Sequence, residues 1–120
     1  MALVKFEAPK VQDYCDLRVN AGMSPKSIEA AEKGLPNACF NVTIYEQETL
    51  IGMGRVIGDG GTAFQIVDIA VDKNHQGLGY GRKIMEEIMT YIDSVAEKGT
   101  YVSLMADLSL IHISEPTRPY

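Results

Sequence analysis

The sequence predicts an α/β fold of the mixed, α+β kind: a mostly antiparallel sheet flanked by helices on both faces. Three observations carry that expectation. Three apolar runs, Cys39 to Tyr45, Leu50 to Ile57 and Ala63 to Val71, follow one another across short polar turns, as in an antiparallel meander. A long amphipathic helix pattern then runs from Gly79 or Tyr80 to about Glu97. The apolar segment Thr100 to Met105 completes a strand, helix, strand unit, which normally returns parallel to its sheet. With 120 residues, 46% of them hydrophobic, the chain can fill one modest core.

In chain order, Val11 to Ala21 carries Val11, Tyr14, Cys15, Leu17 and Val19 on a fair helical face and stops at Gly22. Ser24 and Pro25 supply an N-cap and a first-turn proline for a second helix through Ile28, Ala30 and Ala31, ended by Gly34 and Pro36. In the first strand Phe40, Val42 and Ile44 share one face. Glu46-Gln47-Glu48 and Asp59-Gly60-Gly61 are the turns. Gly52 and Gly54 inside the second strand mark close packing or a bulge. On the long helix Ile84, Met85, Ile88, Met89, Ile92, Val95 and Ala96 fall on one face, which at that spacing is core rather than a cofactor box. Gly99 ends it.

The chemistry concentrates in Gln76-Gly77-Leu78-Gly79-Tyr80-Gly81-Arg82, between the strand ending at Val71 and the long helix. Three glycines let backbone approach an anion, and the unpaired amides of a helix's first turn then face it with the positive end of the dipole. A Walker loop is excluded, because Gly81 is followed by Arg82 and Lys83 with no hydroxyl residue for magnesium. A dinucleotide fingerprint is excluded as well: the glycines stand at 77, 79 and 81, not as G-x-G-x-x-G, and no acidic residue ends a second strand at the required distance. Arg82 either reaches a phosphate or is an ordinary helix-surface cation, and His75 either touches phosphate or shuttles a proton or, the blander reading, is a solvent-exposed loop residue.

Gln76, Gly79 and Gly81 fill the pattern Q/R-x-x-G-x-G/A, and there the chain resembles the GNAT superfamily of acetyl-CoA-dependent N-acetyltransferases. Ile69-Ala70-Val71, four residues, then Gln76 to Gly81 is that family's spacing between cofactor-pairing strand and pyrophosphate loop. The resemblance covers most of the chain. It implies that backbone groups of Ile69, Ala70 and Val71 pair with the pantetheine arm of acetyl-CoA, and that an amide near Ile69 or Ala70 faces the thioester oxygen. It implies that the loop from Gln76 through Gly77, Leu78, Gly79, Tyr80, Gly81 and Arg82 holds the pyrophosphate. The reaction implied is direct acetyl transfer to a primary amine of a small molecule or peptide, which needs proton removal, contact and an oxyanion donor.

The residues offer two candidates for the base. The family's commonest carboxylate position, eleven residues before the motif, is Gln65 here, and a glutamine would need a water chain to pass the proton. Asp68 is the nearer acid, inside the apolar run Ile66 to Val71, where an unpaired buried charge is costly. It either serves the substrate amine or pairs with Arg55 on the neighbouring strand. By family architecture the acceptor pocket would lie near Tyr14, Arg18, Met23 and Phe64; each is otherwise an ordinary core or surface residue.

Composition narrows the partners. A net charge of -5 argues against a general nucleic-acid binder and is compatible with a cationic amine substrate. Cys15 and Cys39 form no CxxC or His/Cys cluster, so no metal site is expected and both read as free buried thiols. No run approaches the ~20 apolar residues of a membrane helix, and no signal segment opens the chain, so no membrane partner and a cytoplasmic location are the expectations. A homodimer is compatible with the sequence but not argued by it.

Residues 108–120, Leu108 to Tyr120, resemble the translation of a transposon-end sequencing adaptor. On that reading the domain is 1–107, the natural sequence is truncated near Asp107, and His112 carries no functional weight. The family's next short helix, often bearing a general-acid tyrosine, and its C-terminal strands would then be lacking. Such a fragment is expected to be poorly stable and inactive. The alternative functional class is a non-catalytic acyl-CoA-binding or regulatory module, supported by the glutamine at position 65.

Overall fold

The order of elements follows from where the apolar side chains must go. The computed structural model describes residues 2–105; the tail reading of residues 108–120 lies outside them. Strands β1 (Ala2–Lys5), β2 (Phe40–Glu46), β3 (Thr49–Gly58), β4 (Ala63–Val71) and β5 (Tyr101–Leu104) form one sheet in that spatial order. The first four are mutually antiparallel, and β5 joins β4 in parallel. Helices α1 (Val11–Asn20) and α2 (Ile28–Gly34) cover one face and α3 (Tyr80–Val95) the other.

Two apolar clusters hold these layers. Ile84, Met85, Ile88, Met89 and Ile92 of α3 are buried on Val42, Ile44, Val56, Phe64, Ile66 and Ile69 of the sheet. Tyr14, Cys15 and Leu17 of α1 meet Ala31 and Leu35 over Leu50, Met53 and Ala70 on the opposite face. Gly54 sets how near α3 lies to the sheet: a Cβ there would stand 2.6 Å from Ile84 Cγ2 and 3.0 Å from Ile88 Cδ1. Packing therefore explains this glycine. Gly54→Val is expected to destabilise the fold by roughly 1–3 kcal/mol through overpacking, read as a lower urea midpoint at unchanged slope.

Three departures from the sequence expectation have local causes. Strand β1 was not anticipated, since four residues are too short to show a period, yet it pairs with β2 from Ala2↔Glu46 to Lys5↔Thr43. The second helix starts at Ile28, not after Ser24: Ser27 caps it by accepting from Ala30 N at 3.0 Å. Ser24 is used elsewhere, its carbonyl accepting from Arg18 Nε at 3.0 Å and Nη2 at 2.8 Å.

The third departure shapes the site. Register slips between β3 and β4, where Arg55 faces Val67 and Met53 faces Ala70, so that two residues, Asp68 and Ile69, stand opposite Gly54. Asp68 takes φ 58°, the left-handed region that non-glycine residues seldom occupy. The inward-facing residues accordingly change parity, from Phe64 and Ile66 to Ile69 and Val71. Among the described residues, pairing with β5 ends just before this bulge, at Ile66↔Leu104, with Met105 N donating to Ile66 O at 2.9 Å.

Candidate functional site

Among the described residues no strand pairs with β4 beyond Ile66 along its edge on the side of β5. Asp72 N donates to Ile51 O on β3 at 2.7 Å, so the Val71 carbonyl, at the other end of the same peptide, points away from β3 toward that edge. Period-two alternation turns the amides of Ile69 and Val71 the same way, while Ala70 faces β3. The amides on that edge can pair with an extended, amide-bearing ligand, while the Val71 carbonyl already accepts one bond from Gln76 Nε2.

The chain then turns into the glycine run. Gly77 (φ 80°) and Gly79 (φ 92°) both occupy the left-handed region, and a Cβ at either would meet nothing within 4 Å. The loop thus needs glycine for its backbone and presents an open surface. Gly79 is the N-cap of α3, without a side-chain cap. The first helical bond is Lys83 N to Gly79 O at 3.0 Å, which leaves the amides of Tyr80, Gly81 and Arg82 without intrahelical acceptors. These amides lie at the positive end of a long helix. The arrangement fits a diphosphate: anion-seeking amides, no side chain in the way, and Arg82 exposed alongside.

Residues around the loop hold it in place. Gln76 Nε2 donates to Val71 O at 3.0 Å, tying the motif's first residue to the strand end. Lys73 N donates to Asn20 Oδ1 at 2.8 Å, linking the loop to α1. His75 is not a solvated loop residue: Nδ1 lies 2.8 Å from Asp72 Oδ2 and Nε2 lies 3.2 Å from Glu46 Oε1. A carboxylate on each ring nitrogen suits the doubly protonated ring, and hydrogen bonds to Asp72 and then Glu46 raise its pKa above the ordinary 6.5. The sign follows from linkage: with the folded pKa raised, His75's contribution is complete below about 6.5 and is lost as pH rises through the folded value. Thermal midpoints of the parent chain and His75→Gln are therefore expected to differ at pH 5.5 and to converge in the alkaline range. A constant difference across that range would contradict the double contact.

Asp68 lies at the centre of a buried polar cluster. Its Oδ1 accepts from Arg18 Nη1 at 2.5 Å; its Oδ2 accepts from Arg55 Nε at 2.6 Å and from the Tyr14 hydroxyl at 2.9 Å. All three partners are largely buried, with Arg18 and Arg55 side chains 6% and 13% exposed. Burial first, then the Asp68 charge, pushes the Tyr14 hydroxyl up to about 12, so Tyr14 stays a donor. The Arg55 pairing considered from sequence is thus present, with Arg18 and Tyr14 added. Both carboxylate oxygens are occupied by donors.

The other sequence candidates separate. Tyr14, Arg18 and Met23 gather on the α1 face with Asp68. Gln65, half-buried, faces Ile57 and Ser103 in the sheet register. Phe64 does not belong with the acceptor side: it is 1% exposed under α3 and meets Tyr91 edge-on at 6.2 Å between centroids. The cause is strand parity, which puts Phe64 in phase with Ile66 on the α3 face. Among the described residues no group of three or more His, Cys, Asp or Glu side chains could hold a metal. No described helix is long and apolar enough to cross a membrane.

Sheet order, bulge and glycine turn define a class of transferase. Residues 11–108 match the Acetyltransferase (GNAT) family, and the chain belongs to it. A protein of unknown function from meticillin-resistant Staphylococcus aureus, described as a probable acetyltransferase, is 59% identical, with TM-score 0.88 over 99% of this chain and 93% of that one. A GNAT family acetyltransferase from Streptococcus pneumoniae TIGR4 shares the fold at 22% identity and TM-score 0.73, over 90% of this chain and 77% of that chain. The Escherichia coli ribosomal-protein-S18-alanine N-acetyltransferase does so at 16% and 0.70, over 93% and 73%. No curated protein matches the chain significantly.

Proposed function

We propose that the family domain this chain carries is one that transfers an acetyl group from acetyl-CoA to a primary amine of a small molecule or peptide. The observation that carries this reading is the continuity of the β4 edge beyond Ile66, unpaired by any strand among the described residues, with the glycine turn and the bare amides of α3. When bound, acetyl-CoA supplies an acyl thioester, an electrophile ready for an amine. The chain's own residues bind and orient. Amides from Gly77 to Arg82 hold the diphosphate, with Gln76 and His75 fixing the loop beforehand so that little order is lost on binding. Backbone groups of Ile69 and Val71 would hold the pantetheine arm, and the Ile69 amide would be placed to donate a hydrogen bond to the acyl oxygen, where negative charge develops. Gln65, one residue before the last β4–β5 pair among the described residues, would pass a proton only through water, and Asp68 has neither oxygen free to take one.

Those two residues favour a second reading, a non-catalytic acyl-CoA-binding module, because neither is a ready base. Incubating the full chain with acetyl-CoA and a panel of primary amines and amino-terminal peptides, with mass detection of N-acetyl products, separates the two. Product above the uncatalysed rate supports transfer. Cofactor binding with no product from any amine supports the binding module.

A further inference from the structure

We propose that Asp68 is a positioning residue: clamped by Arg18, Arg55 and Tyr14, it holds the strand kink that turns the Ile69 amide toward the acyl carbonyl. The inference rests on the acetyl-transfer reading above. It starts from a conflict within the sequence, a carboxylate in an apolar strand, at a backbone conformation that costs energy for any residue with a side chain. Such a conformation persists only where the surroundings over-determine it. Here they do, with three donors from two elements, α1 and β3, converging on two oxygens.

The consequence is one of register. Without the extra residue, alternation from Ile66 would put residue 68 on the α3 face, beneath Ile84 and Ile88, and residue 69 on the face of α1. Slipping by one residue would also reverse the direction of the residue 69 amide, from the β5-side edge toward β3. The clamp therefore decides which backbone groups face that edge. It acts two residues beyond Ile66, the last β4 position that pairs with β5 among the described residues. Since both oxygens of Asp68 are occupied, its effect passes through the backbone and not through proton transfer.

The test compares acetyl-CoA with CoA, which lacks only the acetyl group, by calorimetry on the full chain and on Asp68→Asn, Arg55→Lys and Tyr14→Phe. A hydrogen bond from Ile69 to the acyl oxygen gives the parent chain about fivefold preference for acetyl-CoA. In the variants that preference is expected to fall to about one, with CoA affinity held within about twofold. The carbonyl stretch of bound 13C-acetyl-CoA is expected to move back toward its free value. Tyr14→Phe removes one donor and almost no volume, so it supplies a folded test even if Asp68→Asn unfolds. Folded variants that keep the parent preference and carbonyl frequency overturn the positioning role and leave acetyl transfer standing. A parent chain that binds neither ligand overturns the acetyl-transfer reading, and this inference with it.

Discussion

Gly79→Asp is expected to weaken acetyl-CoA binding at least about 100-fold, about 2.7 kcal/mol, while the protein remains folded. Two features make the effect large. Gly79 sits at φ 92°, and its new side chain would project into the open surface where the diphosphate amides converge. A carboxylate there would compete for the first-turn amides of α3 and repel the anion in a site of few other charges. The positive φ strains any side chain at this position, so a modest loss of stability accompanies the change, but the site is open and no core contact is disturbed. Calorimetry and thermal melting together check it: lost affinity in a protein that still melts cooperatively, at a modestly lower temperature, is the expected pair. Retained affinity would remove the glycine turn from the binding surface.

The second large effect is on stability. Asp68→Ala leaves the Arg18 and Arg55 guanidiniums buried without their counter-ion and puts alanine at a positive φ, and is expected to cost about 3–5 kcal/mol. Domains of this size are stable by about 5–15 kcal/mol, so much of the margin would go. Urea unfolding followed by circular dichroism should show a sharply lower midpoint. A loss below about 1 kcal/mol would mean that the arginines find water or other acceptors and that the cluster is not what holds the bulge.

Much of this molecule was readable in advance because its signals are local. Strands β2 to β4 are apolar runs parted by short polar turns, α3 repeats its apolar face, and Gln76, Gly79 and Gly81 stand in the family's loop spacing. What escaped depended on contacts distant in sequence. Strand β1 is four residues whose only justification is the neighbouring edge of β2. The role of Ser24 was hidden because its partner, Arg18, belongs to another element. The bulge had a visible trace: buried positions at 64, 66, 69 and 71 break period two around an acidic residue. Reading that break would also have kept Phe64 off the acceptor side. His75 was misjudged for the same reason, since Glu46 reaches it from across the sheet.

The most direct measurement is an acetyl-CoA titration of the 15N-labelled full chain, followed through its backbone amide resonances. Binding as proposed shifts two groups of amides above all others: Ile69 to Val71 on the β5-side edge of β4, and Gly77 to Arg82 at the start of α3. Shifts concentrated elsewhere, or none at millimolar acetyl-CoA in a folded protein, would contradict the assignment of that edge and that turn as the cofactor site.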